Sequence, residues 1–249
     1  NDPTRRMFGA LLTWLQECKA PVFVFATANS ITGMPKEFFR SGRFDELYAL
    51  YMPTYEECVD ILKNQMERVN QRVKESMGKT IFEEAGKPEK WEKTVSNLFK
   101  EIQDGHYRYM TGADIEKIVN MALRQLWKDQ KLTYPIDIKT VWKSALKKAL
   151  KSTKVYGDGR ENLDSIATCY IRMLNNNFKP TVIHPLFKEE DYVVTYQNNG
   201  KVTVNVDALS EERSEQFTEY DRSMRIRIAE RMRELGPTLE ESSRRRLIG

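Results

Sequence analysis

The sequence is poor in the residues that make covalent or metal cross-links. Three cysteines, Cys18, Cys58 and Cys169, stand far apart in 249 residues, none in a Cys-x-x-Cys pair, and the two histidines are His106 and His184. A structural zinc site and a disulfide framework are therefore not expected. The thiols read as reduced and buried, as in a cytosolic protein. Long hydrophobic runs are lacking as well. The charge-free stretch Ala20–Met34 is shorter than the ~20 apolar residues a spanning helix needs, and it contains polar residues. The opening NDPTRRMFG shows no signal-peptide core. These absences predict a soluble, cytoplasmic chain with no membrane partner. A large excess of one charge is missing too: 40 Lys and Arg face 36 Asp and Glu, and the net charge of +4 does not by itself predict a nucleic-acid partner.

Phosphate-binding signatures are also missing. Met77-Gly78-Lys79-Thr80 ends like a phosphate-cradling loop, but the glycine required five positions before Gly78 is replaced by Val73, and the preceding segment is a charged helix rather than a buried strand. Asp45-Glu46 imitates an acidic pair that handles magnesium, yet it follows Arg43-Phe44 in a loop instead of an apolar strand. No metal-binding residues are assigned.

What is present suits a globular protein of one or two domains, with 40% apolar and aromatic residues and 31% charged. Asp2-Pro3 starts a helix carrying Met7, Leu11, Trp14 and Leu15, which ends near Lys19. Val22–Ala26 is apolar at every position and is expected to be a strand buried on both faces, as in a parallel sheet. A short helix over Pro35–Phe39, a loop at Ser41-Gly42 and a second strand over Leu47–Met52 follow, which is α/β logic. From Thr54 onward the pattern is helical. Val59, Leu62, Met66 and Val69 mark one amphipath over Tyr55–Val73; Ser76–Lys90 reads as loop; Trp91–Ile102 is the next helix. Thr111 caps a helix over Thr111–Lys128, with Asp114 completing a capping box and Ile115, Ile118, Val119, Ala122 and Leu126 on one face. Asp137–Leu150 is another helix, and "YGDGRE" a Gly-rich break. Tyr192–Tyr196 and Val202–Val206 flank Asn199-Gly200, a strong hairpin signal. The helix over Glu211–Leu235 then carries Phe217, Tyr220, Met224, Ile228, Met232 and Leu235 on one stripe, expected to pack on that hairpin or to dock on a neighbour or client. The tail from Glu211 is neutral, with nine arginines against nine acids. No internal repeat is visible.

Asn29 would lie at the carboxyl end of the apolar strand, where open α/β sheets bind ligands, and its amide can donate to a phosphate oxygen while accepting from an attacking water. Arg40 and Arg43 carry permanent charge on planar forks suited to phosphate. Alone, each has a blander reading: a turn-forming asparagine and surface ion pairs with Asp45 and Glu46.

Together, "ATAN" at Ala26–Asn29 and "FFRSGRFDE" at Phe38–Glu46 resemble the sensor 1 and arginine-finger segments of AAA ATPases, with Asn29 and Arg40 eleven positions apart. "MTGADIEKIVNMAL" at Met110–Leu123 resembles the sensor 2 helix, and "LLTWLQE" at Leu11–Glu17 the helix before sensor 1, particularly in single-ring bacterial and cyanobacterial-chloroplast AAA proteins. Ser41 replaces the family's usual proline. The resemblance covers roughly Asp2–Leu150, with its poorest match over Val73–Gly105. It implies a fold that is the C-terminal part of a parallel-sheet P-loop NTPase core (residues 1–53) and a helical lid (54–150); beyond it the residue pattern adds a linker with an extra helix (151–183) and a hairpin-plus-helix extension (184–249). It also implies ATP and Mg²⁺ as cofactors, held mainly by residues upstream of this chain, and a homo-oligomeric, hexameric ring acting on a protein client. Asn29 would position water, Arg40 and Arg43 would act on a neighbour's ATP, and Gly112 and Ala113 would let the lid backbone approach the nucleotide. The chain is expected to be a fragment or a split protein, inactive by itself. A non-catalytic docking module and a clamp-loader-like nucleic-acid motor are the alternatives.

Overall fold

The computed structural model describes residues 3–29, 31, 34–39, 43–50, 52–103, 108–174, 179–180, 194–196 and 202–204. Of the C-terminal stretch it describes 219–221, 223–224, 227, 230–231 and 234–235. The chain divides into two units. One is Asn1–Tyr51 with Asp164–Ala208 and Ile228–Gly249; the other is Met52–Leu163 with Leu209–Arg227.

The second unit is helical. Helix α2 (Tyr55–Met77) starts at a reciprocal cap: the Thr54 hydroxyl accepts from the Glu57 amide at 3.2 Å, and the Glu57 carboxylate accepts from the Thr54 amide at 2.8 Å. It stops at Gly78, whose φ of 65° is left-handed and costs a glycine little. Gly78 is thus the terminator of a helix, the role its place in "MGKT" has in this fold. Val59, Leu62, Met66 and Val69 are all buried, as their spacing predicts. Helix α3 (Pro88–Gln103) buries Trp91, Val95, Leu98, Phe99 and Ile102. Helix α4 (Gly112–Lys128) carries the expected Thr111–Asp114 capping box and buries Ile115, Ile118, Val119, Ala122 and Leu126. Asp137 caps a wide helical turn over Ile138–Trp142 by accepting from the Lys139 and Thr140 amides at 3.0 and 3.2 Å, and α5 (Lys143–Ser152) continues from it.

Two parts of this core lie where the sequence pattern is silent. Ser76–Lys90, expected as loop, delivers Ile81 and Phe82, both fully buried. The ends of that segment are helical, since α2 runs to Met77 and α3 starts at Pro88, and a 3-10 turn covers Glu83–Gly86; the Ile81 and Phe82 amides between them both donate to the Asn70 side-chain carbonyl at 3.0 Å. The Phe82 ring lies 5.9 Å from that of Trp91 and 5.2 Å from that of Trp142. The second part is the C-terminal stripe. Tyr220 and Met224 are buried within this same unit, Tyr220 between the rings of Tyr55 at 5.9 Å and Tyr109 at 5.2 Å. Phe217, Ile228 and Met232 lie outside the described residues.

The first unit begins with α1 (Pro3–Glu17). Its Phe8 meets Phe38 edge-on at 5.1 Å, and Phe38 stacks on Phe44 at 6.5 Å; Leu12 and Phe38 are buried. Phe38 belongs to a single 3-10 turn, Lys36–Phe39, within the short helix expected over Pro35–Phe39. Met7, Leu11 and Trp14 are exposed.

Val22–Ala26, expected as a buried strand, forms none here. Phe23 is 91% and Phe25 82% exposed. An all-apolar strand takes its burial from a strand on each edge and a layer on each face. The described strands of this unit supply neither, being the parallel pair β1 (Tyr48–Ala49) and β2 (Lys179–Pro180) and the antiparallel pair β3 (Val194–Tyr196) and β4 (Val202–Val204). Tyr48 is in register with Lys179, and Val194 with Val204. Asn199-Gly200 lies outside the described residues. The strand expected over Leu47–Met52 is thus reduced to two residues, and the described chain is mostly helical.

Candidate functional site

The residues that the sequence singles out fall in both units. In the first, Asn29 closes the irregular, exposed segment 20–29 and is itself exposed. Its amide is presented to solvent, and among the described residues no strand end positions it. Arg40, with Ser41 and Gly42, lies outside the described residues. Arg43 is half-buried, and its Nη1 donates to the Glu37 carbonyl of the 3-10 turn. Its Nε is shielded from solvent and has no hydrogen-bond partner among the described residues. The neighbouring Phe44 is held by Phe38, which is held in turn by Phe8 of α1. The aromatic residues of "FFRSGRFDE" therefore anchor the arginine-bearing loop to α1. Sequence reading missed this, although the spacing of Phe38 and Phe44 around the two arginines was there to be seen.

In the second unit Gly112 and Ala113 open α4. A Cβ built on Gly112 would come no closer than 3.9 Å, to Ile61, so packing does not demand glycine there. The bare Cα leaves room beside the first turn, where unpaired amides and the helix dipole favour an anion. Asp114 already uses part of that capacity. Its Oδ2 accepts from the Thr111 amide and hydroxyl at 2.8 Å each, and from the Tyr156 amide at 3.1 Å. The last bond joins the helix start to the turn after α5 and has no signature in the sequence.

That turn is fixed by Arg108, whose guanidinium donates to both Asp158 carboxylate oxygens, to the Leu150 carbonyl, and to the Thr153 carbonyl at 2.7 Å. Burial alone would raise the Asp158 pKa, but the Arg108 hydrogen bond, the Val155 amide and the charges of Arg108 and Arg227 together hold it below the usual carboxylate value.

In the first unit Asn29 carries a donor and an acceptor and Arg43 a cation; in the second, Gly112 leaves an uncrowded backbone. Among the described residues no group of three or more His, Cys, Asp or Glu could hold a metal ion. Likewise, no described helix is long and apolar enough to cross a membrane.

Comparison with known proteins supplies the relatives. No family profile and no solved structure matches the chain. It is 30% identical over 151 residues to an uncharacterized AAA domain-containing protein ycf46 of Guillardia theta, covering 61% of this chain and 26% of that protein. The same-named protein of Pyropia yezoensis is 49% identical over 67 residues, 27% of this chain and 14% of the relative. That of Gracilaria tenuistipitata var. liui is 52% identical over 52 residues, 21% of this chain and 11% of the relative. The chain thus spans about a quarter or less of the length of the curated relatives it matches. Over part of its length the chain is therefore similar to AAA domain-containing proteins, which supports kinship with the AAA ATPase family.

Proposed function

We propose that this chain is the finger-and-lid part of an ATPase that binds and hydrolyses ATP at subunit interfaces of a homo-oligomeric, hexameric ring and so remodels a protein client. The single observation that carries this reading is the identity with AAA domain-containing relatives over 151 residues, combined with Asn29, Arg40, Arg43 and Gly112-Ala113 in the order and spacing of that family. Asn29 orients water at the terminal phosphate, which its exposed amide can do with one donor and one acceptor. Arg40 and Arg43 stabilise charge on a neighbouring subunit's ATP. The Glu37 carbonyl that Arg43 touches is a neutral acceptor, so it orients the guanidinium without cancelling its charge. Gly112 and Ala113 line the approach of base or ribose. ATP brings the phosphates and Mg²⁺ the neutralising charge, held mainly by residues outside this chain.

The test joins this chain to a phosphate-loop-bearing half and measures ATP turnover. An arginine supplied to a phosphoryl-transfer site is worth about 10³–10⁵ in rate. Arg40→Ala and Arg43→Ala should each lower turnover by at least tenfold, and mixing either with Asn29→Ala subunits should restore part of it through mixed interfaces. Turnover within twofold of the parent for both arginine variants overturns the finger assignment.

A further inference from the structure

Between Asp137 and Asp158 the chain carries six lysines and no acidic residue. Lys143, Lys147 and Lys151 recur four positions apart on α5 with Lys148 beside them, and these four line one open groove with Ser144. Lys139 precedes them by a turn and Lys154 follows. Residues four apart share a helix face, so Lys143, Lys147 and Lys151 form a ridge about 12 Å long at 1.5 Å per residue, with Lys139 and Lys154 beyond its two ends. The opposite face, Ala145, Leu146, Ala149 and Leu150, is buried, so the helix cannot turn the ridge away from solvent. Lys143 is paired with Glu101 at 2.5 Å, while Lys139, Lys148, Lys151 and Lys154 are exposed.

We propose that this face of α5 is a docking surface for the phosphodiester backbone of a nucleic acid. The exposed positions from 139 to 154 are lysine, threonine and serine only. A protein partner draws its affinity from buried aromatic or aliphatic anchors, and an interfacial membrane helix from inserted apolar side chains added to its attraction for anionic lipid. This ridge offers neither. A regular polyanion asks only for compact cations at repeated spacing, and release of its counterions supplies the affinity. The lysines also repel one another along the ridge, a repulsion that an aligned polyanion relieves. The net charge of +4 conceals this because acids elsewhere in the chain balance it. The proposal stands apart from the ATPase reading.

Fluorescence anisotropy of the 249-residue chain with a fluorescein-labelled 20-base-pair DNA duplex tests it. Binding should be measurable in 50 mM salt and weaken steeply by 200 mM. The triple variant Lys148→Glu, Lys151→Glu, Lys154→Glu should lose at least tenfold in affinity. Its log–log salt slope should fall by about 2.7, as expected for three lost phosphate contacts. Lys74→Glu, Lys87→Glu, Lys93→Glu makes the same change of net charge on exposed positions elsewhere and should bind within threefold of the parent. If circular dichroism shows the first triple unfolded, the three lysines changed to Gln serve instead, with a loss of at least threefold expected. Equal loss in both triples, no salt-dependent binding by the parent, or tighter binding to polyglutamate or phosphatidylserine vesicles than to the duplex overturns the proposal.

Discussion

The Tyr220 hydroxyl lies 3.7 Å from the Cys58 thiol, inside the helical unit and across 162 positions of sequence. Burial pushes the Cys58 thiol up to about 12 against the Tyr220 hydrogen bond, and the charges of Asp221 and Glu57 add to the rise. Burial, chiefly, also raises the Tyr220 pKa, with the Cys58 charge and hydrogen bond adding to it. Both groups are therefore held neutral by the fold. A raised folded-state value means the folded form keeps protons that the unfolded chain releases. Stability from this pair is complete below the ordinary thiol range and falls as pH rises from about 9 toward 12. Urea midpoints should be flat from pH 7 to 8.5 and decline from pH 9 to 11, and Cys58→Ala with Tyr220→Phe should flatten that decline. In the native chain at pH 8, iodoacetamide should modify Cys58 at least tenfold more slowly than in 6 M urea, read by peptide mass.

Tyr220 fastens the C-terminal stretch to the helical unit, and Asp221 adds a charge at a helix start. The Asp221 Oδ1 accepts from the Tyr55 amide at 3.0 Å, in the first turn of α2, where the dipole favours an anion. Ser223 hydrogen-bonds the Tyr109 hydroxyl at 2.7 Å, and Arg227 lies 5.7 Å from the Tyr109 ring centre. Tyr220→Ala should cost about 3–5 kcal/mol, since a fully buried ring is removed. Asp221→Ala should cost roughly 1–3 kcal/mol, and Asp221→Asn less, because the amide oxygen still accepts. Urea denaturation checks the order; an Asp221→Ala variant as stable as the parent would remove this anchor.

Arg108 and Asp158 set the acid limb. The Asp158 pKa is depressed, so its contribution is present at neutral pH and is lost as pH falls below about 4, through the folded-state value. Arg108→Met should cost roughly 2–3 kcal/mol at pH 7, because it strands the Leu150 and Thr153 carbonyls as well as the carboxylate. The same substitution should narrow the stability gap between pH 7 and pH 3. A gap equal to the parent's would mean that the pair carries no pH-dependent stability.

What was legible in the sequence was local. The α4 cap and its buried face follow from Thr111, Asp114 and a 3.6-residue period, none of which needs a partner element to be recognised. The same holds for the buried stripe of α2. Relationships across distance were not legible. Ile81 and Phe82 carry no period because Asn70, rather than a regular element, satisfies their amides. Tyr220 shows its amphipathic stripe but not which surface receives it. Val22–Ala26 failed in the opposite way: its pattern states what a buried strand requires, and the described neighbours do not provide it. For the site, residue types and spacing were readable, whereas the anchoring of Phe44 and Arg43 by Phe38 and Glu37 was not.

Two glycines separate fold from function. A Cβ on Gly157 would stand 2.5 Å from the Tyr109 Cβ and 2.6 Å from the Tyr109 carbonyl oxygen, to which the Gly157 amide donates at 3.0 Å. Backbone must move, so Gly157→Ala should destabilise by about 2 kcal/mol or more through overpacking. Gly112→Ala meets only Ile61 at ordinary contact distance, and should leave stability unchanged or raise it by up to about 1 kcal/mol. If Gly112 matters because a nucleotide approaches its backbone, Gly112→Ala in the assembled ATPase should weaken nucleotide binding at least fivefold with no loss in urea midpoint. Fluorescent-nucleotide titration alongside denaturation measures both. Unchanged affinity would leave Gly112 as a helix start and nothing more, because packing gives it no other reason to be glycine.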